Sequence, residues 1–192
     1  MIKNKKLIVG MIFLSNGLPL ASMQPNLDLE IKEFNLMEDA AQAEGMLQEN
    51  CSELFANPKF NILAMLSNKT ITPQVSDSHN SLIMQVLKYK KTILSFLAYE
   101  KTYPNAFIRL LVTSSHERRN GYASILLNNL FDSMMSQKFG KIAIETREQN
   151  APAVAFYEKL LRSRNDISYS KTPVSVPNKA ITDVIRYEIS FN

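Results

Sequence analysis

The strongest periodic pattern in this chain is an amphipathic helix set between two predicted strands. Apolar side chains recur at three-to-four-residue spacing over residues 121–139, and Gly140 offers a natural end to that helix. Residues 106–113 and 141–146 are predicted strands on either side of it. Because strands and helices bury their apolar faces against one another, the pattern predicts a sheet with helices packed on it.

Further elements extend this unit in both directions. Additional strands are predicted over 27–34, 81–89, 92–99, 166–170 and 181–191. Additional helices are predicted over 37–55, 57–71 and 151–161. The connections include a polar loop over 72–80 and a loop that contains Pro173 and Pro177. The resulting order, β-α-α-β-β-β-α-β-α-β-β, predicts an α/β chain in which a mixed sheet is flanked by helices.

The composition suits one packed domain and excludes several classes of protein. Of the 192 residues, 45% are hydrophobic and 21% are charged, which is enough apolar surface for a core. Cys51 is the one cysteine, so no intrachain disulfide can form, and with two histidines we expect no metal site. The net charge of +4 is concentrated near the N terminus, so we expect no nucleic-acid partner.

Residues 1–23 differ from the rest of the chain. Three lysines, Lys3, Lys5 and Lys6, precede a short apolar run over 7–14, which is the order of a secretory signal peptide. The run is too short for a helix that spans a bilayer, so no stable membrane span is expected. A mis-assigned start, with Met23 as the true first residue, and an uncleaved membrane-proximal anchor are the alternatives. Residues 24–192 are predicted to form a single domain.

A basic, glycine-containing turn connects the strand over 106–113 to the helix that begins at Gly121. Successive main-chain N–H groups in such a turn, together with the positive end of the helix dipole, form an anion-binding site. Gly121 allows close approach of a phosphate, and Arg118 and Arg119 add positive charge. A solvated loop ahead of a helix is the alternative interpretation.

Two separated segments resemble the conserved blocks of the GNAT superfamily of N-acetyltransferases. Residues 118–123 (RRNGYA) are similar to the family signature Q/R-x-x-G-x-G/A. One helix later, residues 150–160 (NAPAVAFYEKL) resemble the second block. The resemblance extends over 27–192 and implies a GNAT-like fold with a mostly antiparallel central sheet. The chain departs from the family pattern at 113–115, where Val-x-Pro is common, and at 161–165, where Gly-Phe is usual.

The resemblance implies that acetyl-CoA is the acyl donor, without a metal. Main-chain groups of Leu111, Val112 and Thr113 would pair with the pantetheine arm and polarise the thioester carbonyl. The residues implied to hold the diphosphate are Arg118, Arg119, Asn120, Gly121, Tyr122 and Ala123. Asn150 matches a family residue that contacts the cofactor arm, although a helix cap explains this asparagine equally well.

The resemblance also implies an acid and suggests a base. Tyr157 matches the family's proton donor to the departing thiolate, and a core or rim aromatic is its alternative role. Glu145 ends a strand on the face opposite Ile142 and Ile144 and is our candidate general base; an ordinary strand-end carboxylate is the alternative. The spacing of Glu145 and Tyr157 is similar to that of the branch that acetylates the N-terminal alanine of a ribosomal protein.

These residues predict an enzyme that moves an acetyl group from acetyl-CoA to a primary amine. The acceptor is a protein N-terminus, a lysine or a small molecule, with a weak preference for a protein N-terminus, and the chain is a monomer or a homodimer. A non-catalytic acyl-CoA-binding module and an exported, host-directed acetyltransferase are the alternatives. Because acetyl-CoA is a cytosolic metabolite, we expect a cytoplasmic protein, while residues 1–22 leave export open.

Overall fold

The computed structural model of the protein describes residues 28–50, 81–174 and 183–192. Within these ranges the strands are β1 (Leu29–Glu33), β2 (Ser81–Tyr89), β3 (Thr92–Thr102), β4 (Asn105–Thr113), β5 (Lys141–Arg147), β6 (Ile167–Val174) and β7 (Val184–Phe191). The helices are α1 (Leu36–Glu49), α2 (Tyr122–Ser136) and α3 (Ala151–Arg162), and a 3₁₀ turn spans Ser115–Glu117. The described strands form one seven-stranded sheet in the order β1-β2-β3-β4-β5-β7-β6.

The sheet is mixed and mostly antiparallel, as the family resemblance implied. β4 and β5 are parallel neighbours that α2 connects in sequence, and the other neighbouring strands run antiparallel. The strands predicted over 81–89 and 92–99 are confirmed as β2 and β3, which form a hairpin with Lys90 in the left-handed conformation at its turn. The predicted helix over 57–71, the loop over 72–80 and the leader lie outside the described residues. None of the described helices is both long and apolar enough to cross a membrane.

The sequence prediction was wrong about how α2 ends. The helix stops well before Gly140, and Lys138 takes the left-handed conformation beyond it, with a φ of 58°. The Lys138 N–H donates to the Met135 carbonyl, and the Phe139 N–H to the Met134 carbonyl, each at 3.0 Å. These two hydrogen bonds form a Schellman motif, and buried Phe139 supplies the hydrophobic contact that accompanies it. Packing of Phe139 therefore decides the end of the helix, and Gly140 does not.

The prediction that Pro173 belongs to a loop was also wrong. Pro173 lies inside β6, opposite Ile185 of β7. Because β6 is at the edge of the sheet, one side of its backbone has no neighbouring strand among the described residues. A proline lacks an N–H and is tolerated at such a position, so Pro173 marks an edge strand.

Separate hydrophobic clusters cover the two faces of the sheet. The larger cluster lies between the sheet and α2 and α3, and includes Leu126, Phe131 and Ile144. The smaller cluster lies between the opposite face and α1, and includes Met46 and Phe96. Helices therefore flank the sheet on both faces, which confirms the predicted layers.

A buried ion pair fastens the start of α1 to the sheet. Asp39 is fully buried, and its carboxylate accepts hydrogen bonds from Lys88 Nζ of β2 and, at 2.9 Å, from the Asn35 N–H. Asn35 in turn caps the helix, because its side-chain oxygen accepts the Met37 N–H at 3.0 Å. The same carboxylate thus completes the helix cap and binds the neighbouring strand.

We predict that Lys88→Met lowers the free energy of unfolding by about 3 kcal/mol, because it leaves the Asp39 carboxylate buried without its cation. Urea denaturation monitored by circular dichroism measures this loss. The double variant Lys88→Met, Asp39→Asn removes both charges and is expected to regain most of the stability. A loss below about 1 kcal/mol for the single variant would show that the pair is not needed to fix α1.

Candidate active site

The sheet opens between β4 and β5. These parallel strands pair only from Asn105 with Lys141 to Ile108 with Ile144. Beyond that point the pairing stops, although both strands continue, to Thr113 and to Arg147. The result is a gap between the two strands in the middle of the sheet.

An extra residue in β4 marks the start of this gap. In the pairing with β3, Tyr99 lies opposite Ile108 and Ala98 lies opposite Leu110, so Arg109 has no partner and forms a β-bulge. The bulge also reverses the facing of the side chains. Ile108 packs in the cluster under α2 and α3, whereas Leu110 packs in the cluster under α1. A bulged strand bends, which separates its second half from β5.

Alternation along β4 determines which main-chain groups face the gap. The Ser114 N–H donates to the Leu94 carbonyl of β3 at 3.1 Å, so the next opposite pair, Ser95 and Thr113, is a non-hydrogen-bonded one. The hydroxyls of that pair are 3.0 Å apart, as the closer approach of such a pair predicts.

By the same alternation, the main-chain groups of Val112 point toward β3, where its carbonyl also accepts the Ser95 hydroxyl at 2.8 Å. The amides and carbonyls of Leu111 and Thr113 point away from β3, into the gap. Three β4 residues were predicted to bind the cofactor through the main chain. Of these, Leu111 and Thr113 present their peptide groups to the gap.

The turn after β4 ends in exposed main-chain donors at the start of α2. Arg119 and Gly121 both adopt left-handed conformations, with φ of 68° and 82°. In the described structure, the first backbone hydrogen bond of α2 runs from the Ile125 N–H to the Gly121 carbonyl, at 3.1 Å. The N–H groups of Tyr122, Ala123 and Ser124 precede it and point out of the helix end, where the helix dipole is positive.

The space beside Gly121 is open in the part of the chain that the structure describes. A Cβ built on this glycine would meet no described atom within 4 Å, so its backbone conformation, and not crowding, favours glycine. The first turn of α2 carries no acidic side chain that would compete with an anion. Main-chain donors, dipole and free space together fit a diphosphate group of the kind that coenzyme A carries.

The side chains of Arg118, Asn120 and Tyr122 are engaged elsewhere. The Arg118 guanidinium contacts Asn50 Oδ1 at the end of α1, and the Asn120 amide donates to Glu117 Oε2 at 3.1 Å. Tyr122 is buried in the cluster under α2, and this burial raises the pKa of its phenol. The predicted diphosphate site is thus brought together by its main chain, while the Arg118 side chain is engaged with α1.

Tyr157 lies on α3, close to where the gap opens. Its side chain is buried, and its ring packs on Tyr187 with the ring centroids 5.8 Å apart. Tyr187 lies opposite Ile144, the last residue of β5 that pairs with β4. Burial, and to a smaller extent Tyr187, raise the pKa of the Tyr157 phenol well above its usual range. The phenol therefore keeps its proton at neutral pH, which a proton donor requires.

Asn150 caps α3. Its side-chain oxygen accepts the Ala153 N–H at 3.2 Å, and Pro152 lies in the first turn, where a proline costs the helix no hydrogen bond. This is the capping role given above as the alternative for Asn150, and it leaves the NH₂ group of the side chain available for contact with a cofactor.

Glu145 is the first residue of β5 beyond the pairing with β4. It lies opposite Arg186 of β7, whose Nε donates to Glu145 Oε1 at 2.8 Å and whose terminal NH₂ contacts the same oxygen. Since side chains alternate along a strand, Glu145 is on the face opposite Ile144 and hence opposite the cluster that holds Tyr157. The two candidates lie near the opening of the gap on opposite faces of the sheet.

Another carboxylate on this part of the sheet is also paired. Glu100 accepts a hydrogen bond at 2.7 Å from the bulged Arg109, whose guanidinium stacks on the Phe107 ring at 4.2 Å. Among the described residues, no group of His, Cys, Asp and Glu side chains could hold a metal ion.

Sequence reasoning missed Tyr187. Its side chain is fully buried, and its hydroxyl has no hydrogen-bond partner among the described residues. Alternation with Ile185 and Ile189 in β7 does indicate an inward-facing residue. No local pattern could reveal that this residue packs on Tyr157, which is thirty positions earlier.

A family model for the acetyltransferase (GNAT) family matches residues 46–161 of the chain. Among solved structures, the ribosomal-protein-S18-alanine N-acetyltransferase from Escherichia coli is similar, at 17% identity and a TM-score of 0.61 over 85% of this chain and 94% of that chain. The spermidine N-acetyltransferase from Vibrio cholerae, in complex with CoA and spermine, is 16% identical, with a TM-score of 0.61 over 85% of this chain and 95% of that chain.

The ribosomal-protein-alanine N-acetyltransferase from Brucella melitensis is 12% identical, with a TM-score of 0.60 over 85% of this chain and 99% of that chain. No curated protein matches the sequence significantly. At these identities the solved structures establish a shared fold and nothing finer.

We predict that Tyr187→Phe raises the free energy of unfolding by about 1 kcal/mol, because it removes a buried hydroxyl that has no partner among the described residues. Thermal unfolding of the variant measures the gain. Tyr169→Phe is the matched control, since the Tyr169 hydroxyl interacts with Arg162 and its removal should bring no gain. A clear loss of stability in Tyr187→Phe would show that its hydroxyl does have a partner.

Proposed function

The chain belongs to the GNAT family of acetyltransferases, and we propose that it transfers the acetyl group of acetyl-CoA to a primary amine by direct attack of the amine on the thioester. The observation that carries this proposal is the gap between β4 and β5, which lies between the exposed amides at the start of α2 and the buried Tyr157. The family match over 46–161 includes all three features.

The proposed donor site is mainly a main-chain site. The amides of Tyr122, Ala123 and Ser124 would bind the diphosphate, with the help of the helix dipole. Leu111 and Thr113 would pair with the pantetheine arm and polarise the thioester carbonyl from the edge of β4. Arg119 and Asn120 would line the same turn, and the NH₂ group of Asn150 would reach the arm from the other side of the gap.

Two side chains would move protons. Glu145 would accept a proton from the ammonium of the acceptor, directly or through a water molecule, which leaves a neutral amine free to attack. The nitrogen of the tetrahedral intermediate would lose its second proton to solvent. When the intermediate collapses, the C–S bond breaks, and Tyr157 would give its phenolic proton to the departing thiolate. Solvent later returns that proton to Tyr157, and Glu145 releases the one that it took.

The acceptor we favour is the N-terminus of a protein. The Glu145 and Tyr157 spacing supports this choice, and solved proteins with the same fold include enzymes named for ribosomal-protein alanine. A spermidine acetyltransferase has an equally similar fold, so a polyamine remains a second acceptor to test. We place the enzyme in the cytoplasm, where acetyl-CoA is available.

We predict that Tyr157→Phe and Glu145→Gln each lower kcat by a factor on the order of 100 or more, since each removes one proton transfer. The assay is release of the free thiol of CoA, with the best acceptor from a panel of N-terminal peptides, spermine and free lysine. Glu188→Gln and Tyr169→Phe are matched controls that should retain wild-type turnover. Unchanged turnover in both test variants would remove the proposed mechanism and favour a binding module.

We also predict a pH profile without an alkaline decline. Because burial raises the pKa of Tyr157 above its usual value near 10, the phenol stays protonated while the pH rises from 7 to about 10. The value of kcat should therefore rise with pH as the acceptor amine becomes easier to deprotonate, and it should then stay level. A fall in kcat with a midpoint below about pH 9 would indicate that an acid other than Tyr157 protonates the thiolate.

A further inference from the structure

Asn50 ends α1, and both the nitrogen and the oxygen of its side-chain amide have partners. The residue is only 4% exposed, and its Nδ2 donates to the Met46 carbonyl at 2.6 Å. Its own N–H donates to the Leu47 carbonyl at 3.2 Å. These bonds fix the amide so that Oδ1 points out of the helix end, where it contacts the Arg118 guanidinium.

A second contact ties the same two regions together. Ser115 Oγ donates to Glu49 Oε2 at 2.9 Å. The turn that leads into α2 is therefore held to the end of α1 at two positions, Ser115 and Arg118. Both positions lie just before Arg119 and Gly121, whose left-handed conformations present the main-chain donors of α2.

Charge favours this position for Arg118. The C-terminal end of a helix carries a partial negative charge, which attracts a guanidinium. The last turn of α1 has no basic residue of its own, so Arg118 is the cation that the turn brings to it.

α1 is a firm support for the turn. Its start is held by the pair of Asp39 and Lys88. Its middle is held by Gln42, whose side chain donates to the Lys91 carbonyl and accepts the Ile93 N–H, each at 3.0 Å. A helix fixed to the sheet at its start and middle can hold a loop at its end.

We propose that Asn50 is a positioning residue for the donor site, which holds the turn through Arg118 so that the amides of 119–124 are ready for the diphosphate. Arg118 then acts as a tie to α1, and it is not a ligand of the phosphates. The inference rests on the proposed function, because it assigns the turn to coenzyme A. It gives Arg118 a role different from the added positive charge for a phosphate that the basic turn suggested.

The test is calorimetric titration with CoA of three variants: Asn50→Ala, Arg118→Ala and the double variant. Each single change is expected to weaken binding about tenfold, and the double variant should be no weaker than either, because both remove the same tie. Gln48→Ala, an exposed residue in the same turn of α1, is the matched control and should bind normally. If Arg118→Ala weakens binding, while Asn50→Ala binds CoA as well as the wild type or better, then Arg118 is a phosphate ligand and the proposal is wrong.

Hydrogen exchange of the free protein separates this inference from the proposed function. Both single variants should raise the exchange rates of the hydrogen-bonded amides on either side of the turn, Glu117 and Ile125, and Gln48→Ala should not. Arg118 is exposed, so its replacement gives a folded variant even if Asn50→Ala does not. Unchanged exchange in Arg118→Ala would overturn the inference. A wild-type protein that fails to bind CoA would overturn the proposed function and leave the exchange result standing.

Discussion

The register break at Arg109 is the feature on which the rest of the site depends. Before it, β4 pairs with strands on both sides, and after it β4 pairs only with β3. If β4 continued its pairing with β5, the peptide groups of Leu111 and Thr113 would be hydrogen-bonded to β5. The same break turns Leu110 toward α1, so one inserted residue both opens the gap and gives α1 an apolar surface on which to pack.

What the gap offers is mostly main chain. The edge of β4 presents peptide groups, and the start of α2 presents amides that, among the described residues, have no backbone partner, beside a glycine with no described atom close to its Cβ position. Main-chain recognition requires a backbone conformation and few specific side chains, which is consistent with one fold shared at 12% to 17% identity. In the function and the tie that we propose, side chains contribute where protons move, at Tyr157 and Glu145, and where the turn is held, at Arg118.

Local patterns were sufficient for the elements that carry the site. β-Branched and aromatic content predicted the strands β2 and β3, and apolar periodicity predicted α2 with its start at the glycine signature. They failed at the end of α2, because the Schellman motif at Lys138 depends on the packing of Phe139.

Contacts between distant residues lay beyond the reach of any local pattern. Asn50 and Arg118 are 68 positions apart, and the bulge at Arg109 is visible only when β4 is aligned with β3. The ring of Tyr187 against Tyr157 is a contact of the same kind.

The central claim is that the gap and the start of α2 together hold the donor. The most direct test is a titration of ¹⁵N-labelled protein with acetyl-CoA, followed by the amide resonances. The account predicts large shifts at Leu111, Thr113 and the first amides of α2, with a smaller shift at Val112, whose N–H faces β3. Binding that leaves those amides unshifted and moves resonances elsewhere would contradict it.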